Sequence, residues 1–467
     1  MRSNLLRGLI CLCVPLLILA IPVPTGLSVL AWQLLAVYIG AILGLMLKPV
    51  PEAVVLLTAI AVVGIVYKNI GMALSGYADP TAWLIFAAFM ISICFIETGL
   101  GRRIAYLLIR YIGKSSLGLG YVAAFADLFF APAIPSNTAR TGGLVFPIFQ
   151  SLVLTLDSKP GPTARRIGSY QMLVMYNISL VTAAMFITAG VIHPLNLTFA
   201  KNILHVEISW IEWAVGMFVP GILTLLAVPY LIYKIYPPEI KSINNREIAN
   251  KGLQELGPIT SQEKRLLILF VIALLGWSTS IITKINATAI AIGIVAASVW
   301  LGIVKWKSLL ACEQAFNTFL WFAGIVSLAN GMGKEKLFSW LGQVIANNFN
   351  IAGLNQYLVL FGILFISIIV RYLFASTAAY VATLIPVFYT LGALAHLPAK
   401  PLVLIMAASS MLGSVMTHYG NALGPILFGT GYVEQSAWWK IGHIVTIVGM
   451  VIWLIAGAAW WKILGMW

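Results

Sequence analysis

Charge is what this chain has least of, and acid least of all: 14 Asp and Glu stand against 28 Lys and Arg in 467 residues. Charged residues of both signs make up 9%, where a soluble domain carries about 25%. With 61% hydrophobic residues and several apolar stretches past the roughly 18 residues that a spanning helix needs, a large soluble protein is excluded. Cysteine is nearly missing too. Cys11, Cys13, Cys94 and Cys312 lie in or beside apolar segments without metal-ligand spacing, so Cys11-x-Cys13 reads as helix packing rather than a redox motif. The five histidines (His193, His205, His396, His418 and His443) are scattered, and no carboxylate pair sits inside an apolar run. An enzyme would need a nucleophile with a positioned base or a cluster of metal ligands, and neither is present. The net charge of +14 does not indicate nucleic acid, because the basic residues lie between apolar segments, where they set topology.

What is there is a series of apolar segments. Candidate spans are 8–22, 31–47, 51–67, 82–99, 168–190, 213–235, 265–283, 287–304, 316–332, 401–430 and 441–463. The first, Leu9 to Ile21 after Arg2 and Arg7, is read as a membrane helix and not a signal peptide, since it lacks a small-x-small cleavage site and more spans follow. Two further apolar segments, 118–155 and 355–391, are broken near the middle by polar residues and read as re-entrant hairpins. The expected fold is an all-α polytopic membrane protein with about eleven transmembrane helices and two re-entrant hairpins. Placing the N-terminus in the cytoplasm and the C-terminus outside puts 19 Lys and Arg inside and 7 outside, leaving Arg140 and Arg371 in the hairpins.

The long polar connection at 236–264 divides the chain into halves that echo each other. Trp83-Leu84-Ile85-Phe86-Ala87-Ala88 and Thr98-Gly99-Leu100-Gly101 return as Leu320-Trp321-Phe322-Ala323-Gly324 and Asn330-Gly331-Met332-Gly333. Each echo is followed by a charged interfacial helix (102–115 and 334–347) and then by a hairpin. The first hairpin enters from the cytoplasm and the second from outside, which makes an inverted repeat, the plan of secondary transporters with a midplane site. The division expected is 1–115 for scaffold helices and the first arm helix, 116–235 for the first hairpin and the transport helices after it, 236–264 for a cytoplasmic linker, 265–350 for scaffold and second arm helix, and 351–467 for the second hairpin and remaining transport helices.

Polar residues in the hairpins carry the chemistry. Pro135-Ser136-Asn137-Thr138-Ala139-Arg140-Thr141-Gly142-Gly143 interrupts an apolar run with donors and a full positive charge, and Asp127 is the one other charge near in sequence. Ionisable groups at membrane depth cost roughly 2.5–3.5 kcal/mol on insertion scales and mark substrate or ion paths. Pro135 closes the descending arm. Ser136 is a natural N-cap for the second arm, and its exposed N–H groups with the positive dipole end suit an anion. Asn137 and Thr138 add neutral donors. Arg140 has two readings that spacing does not separate, a substrate contact or a buried pair with Asp127. The second hairpin offers Ser376-Thr377-Ala378, poorer in donors, and Ser376 precedes Pro386 by ten residues as Ser136 precedes Pro147 by eleven. Two tips meeting at the midplane would make one anion site. Arg371, before the second turn, reads as contact or outer anchor and is left out of the core site. Ser409 to Tyr432 suggests an unwound helix, with Thr417, His418 and Asn421 as candidates and His418 able to donate as a neutral imidazole. Tyr380, Tyr419 and Asn421 are candidates for setting substrate length.

Pro-Ser-Asn-Thr-Ala-Arg-Thr-Gly-Gly at 135–143, the hairpin pair, Thr417-His418-Tyr419-Gly420 and Phe428-Gly429-Thr430-Gly431-Tyr432 together resemble the divalent anion:sodium symporter (DASS) family over essentially the whole chain. The closest resemblance is to its exchanger branch of citrate:succinate and tartrate:succinate antiporters and plastid dicarboxylate translocators. It implies an elevator-type homodimer in a bacterial inner membrane that moves one di- or tricarboxylate at a time, with no cofactor and no metal. Ser136, Asn137 and Thr138 match the family's first carboxylate motif. Ser376 and Thr377 match the start of the second, where Thr377 replaces an asparagine and Ala378 the final threonine. In sodium-coupled members two cation sites neutralise the substrate; here Arg140 follows the first motif and His418 sits near the second cation position. The resemblance therefore implies exchange without sodium, with a sodium-coupled dicarboxylate symporter as the alternative. The substrate-binding set expected is Ser136, Asn137, Thr138, Arg140, Ser376, Thr377, Thr417, His418 and Asn421.

Overall fold

The computed structural model describes residues 2–351 and 353–467; the side chain of Arg2, one of the charges used for orientation, lies outside the described residues. The chain is helical throughout, with no β-strand among the described residues and one isolated bridge between Ser115 and Ser242. Among the described residues eight helices are long and apolar enough to cross a membrane, and four shorter apolar helices (Leu5–Ala20, Glu52–Ile65, Ser116–Phe130 and Ala287–Trp300) accompany them. This differs in detail from eleven spans and two re-entrant hairpins. Both arms of the second hairpin, Gln356–Leu373 and Thr377–Leu394, are 18 residues long, about 27 Å at 1.5 Å per residue, which is long enough to span. The first hairpin's descending arm has 15 residues.

The chain forms two compact units. One comprises Met1–Phe86, Ile192–Ile208 and Glu313–Met406; the other comprises Ala87–Val191, Ser209–Cys312 and Ala407–Trp467. The first hairpin and the broken helix near His418 therefore belong to the second unit, and the second hairpin to the first.

Local signals start these helices where the sequence supplies side-chain oxygens. Ser28, Ser115, Asn286 and Asn355 each accept a hydrogen bond from a first-turn backbone N–H. Ser209 with Glu212 and Thr260 with Glu263 form full capping boxes. The two arm helices begin alike. The two arm helices, Leu100–Ile112 and Leu337–Asn348, both follow a left-handed residue, Gly99 at φ 76° and Lys336 at φ 58°.

The connection 236–264 is itself folded. Ser116 N–H donates to the Lys241 carbonyl and Ile243 N–H to that of Lys114, while Glu239 and Ile240 N–H groups reach the carbonyls of Arg165 and Arg166. Its helix Asn245–Leu256 lies on the first arm helix. Asn245 Nδ2 donates to the Ile109 and Arg110 carbonyls, both at 2.8 Å. A Cβ at Gly252 would lie 2.4 Å from the Tyr106 ring, so no larger residue fits there without displacing it.

Arg103 ties the same arm helix to the next span. Its Nε and Nη2 donate to the two Glu263 carboxylate oxygens at 2.7 and 3.1 Å, and Nη1 donates to the Gly257 carbonyl at 3.0 Å. Burial pushes the Glu263 carboxyl up, but the bonds from Arg103 and the Thr260 N–H outweigh it and hold the carboxyl below its usual value. A depressed carboxyl adds stability that is complete above the unfolded value near 4.3 and is lost as pH falls through the lower folded value. Glu263→Gln is therefore expected to lower the melting temperature at pH 7 and to narrow its difference from the unmodified protein as the pH drops below about 4. Thermal unfolding in detergent across pH checks this; a constant difference would exclude the ion pair as the cause.

Candidate functional site

The first hairpin descends as Ser116–Phe130, turns through 131–133 and has no regular structure from 134 to 136. It then returns as a π-helix, Thr138–Val145, continued by the α-helix Phe146–Thr155. Ser136 Oγ accepts from the Ala139 N–H at 3.3 Å. Asn137, Thr138 and Ala139 are part-exposed, and the Asn137 and Thr138 side chains have no hydrogen-bond partner among the described residues. The tip thus turns neutral donors outward at the start of a wide helical turn, a geometry that recurs at functional sites.

Arg140 faces the other way. It is fully buried, as is Asp127, and its Nε donates to Asp127 Oδ2 at 2.9 Å. Nη1 donates to the carbonyls of Ile134 at 2.9 Å and Ala189 at 3.3 Å; Nη2 donates to the Ser179 carbonyl at 3.0 Å and Thr182 Oγ1 at 3.2 Å. A guanidinium has five N–H donors, and each has an acceptor within the protein. Asp127 also accepts from the Thr141 and Thr182 hydroxyls. Of the two readings of Arg140, the pair with Asp127 is the one realised. Its charge is cancelled locally, and it clasps the two arms of the hairpin to Gly168–Met185.

The helix Ala399–Leu412 gives way to a 3-10 turn at Gly413–Met416, an irregular stretch, and the short helix Leu423–Phe428. Tyr176, on Gly168–Met185, holds the irregular stretch: its hydroxyl donates to the Ser414 and Thr417 carbonyls at 3.0 and 2.7 Å and accepts from Asn421 Nδ2 at 2.9 Å. Asn421 Oδ1 accepts from the Leu423 and Gly424 N–H groups at 3.0 and 3.2 Å. The buried Asn421 amide is thus used in shaping the loop, and Thr417 is 3% exposed. From the other side, a Cβ at Gly442 would lie 2.2 Å from the Val415 carbonyl oxygen, so Gln435–Ile452 meets this stretch backbone to backbone. His418 stays part-exposed, stacked on Phe428 at 4.4 Å, with Nδ1 accepting from the Trp439 indole N–H at 3.1 Å.

In the second hairpin, Ser376 Oγ accepts from the Ala379 N–H at 3.3 Å, the same bond and length as at the first tip. Ser376, Thr377 and Ala378 are part-exposed. Counted from the capping serine, the parallels go further. In each hairpin the residue nine before it pairs with the residue four after it: Asp127 with Arg140, and the Ser367 carbonyl with the Tyr380 hydroxyl at 3.1 Å. The carbonyl two before it accepts from a guanidinium in both, Ile134 from Arg140 at 2.9 Å and Phe374 from Arg371 at 2.7 Å. Arg371, set aside in the sequence, is 1% exposed, donates to Thr377 Oγ1 at 2.7 Å and lies over the Tyr380 ring at 5.0 Å. No Asp or Glu occurs in the sequence between Glu335 and Glu434. Tyr380 itself is fully buried between the arms. Tyr419 stands edge-on to His418 at 5.3 Å. Among the described residues no three His, Cys, Asp or Glu side chains gather where a metal ion would bind.

The family model for the sodium:sulfate symporter transmembrane region matches residues 2–467. The inner membrane protein YbhI of Escherichia coli is 43% identical over 100% of this chain and 99% of its own length. The L-tartrate/succinate antiporter of Escherichia coli is 35% identical over 97% of each chain. Among solved structures, the YdaH transporter of Alcanivorax borkumensis superposes with a TM-score of 0.57 over 86% of this chain and 88% of that one. At 12% identity that likeness is one of fold.

Proposed function

Because this chain belongs to the sodium:sulfate symporter (DASS) family of membrane transporters and is not an enzyme, we propose that it exchanges one di- or tricarboxylate for another without sodium. The observation that carries the proposal is the matched pair of serine-capped hairpin tips, each with part-exposed neutral side chains beside the cap, Asn137 and Thr138 in one and Ser376 and Thr377 in the other. The name of the tartrate/succinate antiporter, related along the whole chain, supports exchange over symport. At the first tip, Ser136, Asn137 and Thr138 receive a carboxylate on neutral donors and the positive end of a helix dipole. At the second, Ser376 and Thr377 do the same beside the Arg371 charge. His418 adds a third donor. Arg140, Thr417 and Asn421 act one step back, holding the tip and the broken helix in shape.

Positively biased tips are unfavourable to carry empty through an apolar barrier, and a bound dianion offsets that bias, which couples movement to loading. The same reading carries an elevator cycle, with 116–235 and 351–467 as the carried part, in a homodimer in a bacterial inner membrane with the N-terminus cytoplasmic and the C-terminus outside. Counterflow in liposomes loaded with C4 to C6 acids tests the exchange. Rates are expected to be unchanged when sodium is replaced by potassium, and Asn137→Ala is expected to raise the half-saturation concentration about tenfold or more, the loss of one hydrogen bond to a charged group. Strict sodium dependence would replace this proposal with sodium-coupled dicarboxylate symport.

A further inference from the structure

We infer that the Trp439 indole fixes His418 as the neutral tautomer protonated on Nε2, making it a neutral donor to an anion and not a cation. This rests on the reading that places His418 at the carboxylate site. An indole N–H only donates. It points at His418 Nδ1 from 3.1 Å, so Nδ1 offers a lone pair and carries no proton. The single proton of the neutral ring is then on Nε2, which has no hydrogen-bond partner among the described residues on a part-exposed ring. Forming the imidazolium would set two N–H groups head to head and requires Trp439 to withdraw.

Trp439 is well placed to resist that. The His443 Nδ1 lies 2.6 Å from its carbonyl oxygen and donates to it. The stack on Phe428, at 4.4 Å and 25°, sets the plane in which His418 meets Trp439. The rings that meet His418 are those of Phe428, Tyr419 and Trp439. Leu423–Phe428 has no ionisable residue, and Gly168–Met185 brings only Tyr170 and Tyr176. His418's own loop brings Tyr419, and Gln435–Ile452 brings His443 with the exposed Lys440 and, at its N-cap, the exposed Glu434. With Arg140 paired to Asp127, the Nε2–H of His418 is a neutral donor beside the first tip. Trp439 is therefore a positioning residue that acts through His418, and it sets which ring nitrogen carries the proton.

The test is 15N NMR of histidine-labelled protein in lipid bilayers, with His418 assigned by difference from His418→Asn. His418 is expected to show an unprotonated Nδ1 and a protonated Nε2 in spectra taken at mildly alkaline pH. In Trp439→Phe, which keeps a ring and removes the N–H, it is expected to sample both tautomers. Counterflow gives the second readout: the half-saturation concentration of the variant relative to the unmodified protein, a ratio in which the substrate's own titration cancels. Without the indole N–H the ring divides between its two tautomers, and only the one with its proton on Nε2 donates from that nitrogen. The ratio should therefore rise above one, by up to about twofold. A protonated Nδ1 in the unmodified protein, or an unaltered spectrum and a ratio of one in Trp439→Phe, overturns the inference. The expected spectra together with normal transport by His418→Asn would overturn the placement of His418 at the site and leave the tautomer assignment standing.

Discussion

Arg140→Ala is expected to cost about 3–5 kcal/mol of stability, the usual consequence of leaving one member of a buried ion pair without its partner. The Asp127 carboxylate would stay fully buried with only the Thr141 and Thr182 hydroxyls, and the carbonyls of Ile134 and Ala189 would lose the guanidinium. Asp127→Ala should be as damaging, because it strands the guanidinium instead. This symmetry separates a clasp from a substrate contact. A residue that only touched substrate would lose transport with the fold intact, and its removal would leave Asp127→Ala unrelated. Replacing both, as Asp127→Leu with Arg140→Met, should recover part of the loss by removing both charges. Recovery would be incomplete, since those carbonyls keep no donor. Size-exclusion profiles and melting temperatures in detergent read all three variants. A well-folded Arg140→Ala protein that cannot carry dicarboxylate would return Arg140 to the binding set.

The second large effect is expected at Asn421, whose amide joins three elements. Asn421→Ala strands the Leu423 N–H and removes the donor to the Tyr176 hydroxyl, while the Gly424 N–H keeps the backbone carbonyl of residue 421. At about 1–3 kcal/mol for each buried group left unsatisfied, the loss is on the order of 3 kcal/mol. Asn421→Asp keeps the oxygen that accepts both N–H groups but turns a carboxylate oxygen toward the Tyr176 hydroxyl, whose own proton is directed at the Thr417 and Ser414 carbonyls. It should therefore destabilise nearly as much despite its equal size. Melting temperatures of the two variants, with Tyr176→Phe as the third, check the network. If Asn421→Asp were as stable as the unmodified protein, the amide would not be oriented by Tyr176.

Much of the site could be read along the chain because its determinants are close in sequence. Both capping serines bond a backbone N–H three residues on, and Pro135 forces the break before the first of them. Asp127 could be named as a partner for Arg140 because a hairpin returns on itself and brings the two arms together. The role of Arg140 could not be decided that way. Its remaining acceptors, on Ser179, Thr182 and Ala189, are 39 to 49 residues distant in sequence. Tyr176 and Trp439 were missed for the same reason: nothing local in an apolar helix marks the one aromatic whose polar atom meets a loop. Arg371 had a detectable signal, a basic residue just before the second capping serine with no acid near it in sequence.

The sequence alone determined that this protein lives in a membrane and that its chain breaks twice to expose polar tips. Scarcity of charge, apolar run length and capping chemistry act over a few residues and need no partner. Which polar groups face outward was decided only by tertiary structure. A buried donor must find an acceptor wherever the fold supplies one, and for Arg140 and Asn421 the fold supplied enough to take up every donor. For His418 it supplied one indole on one nitrogen and left the other turned outward.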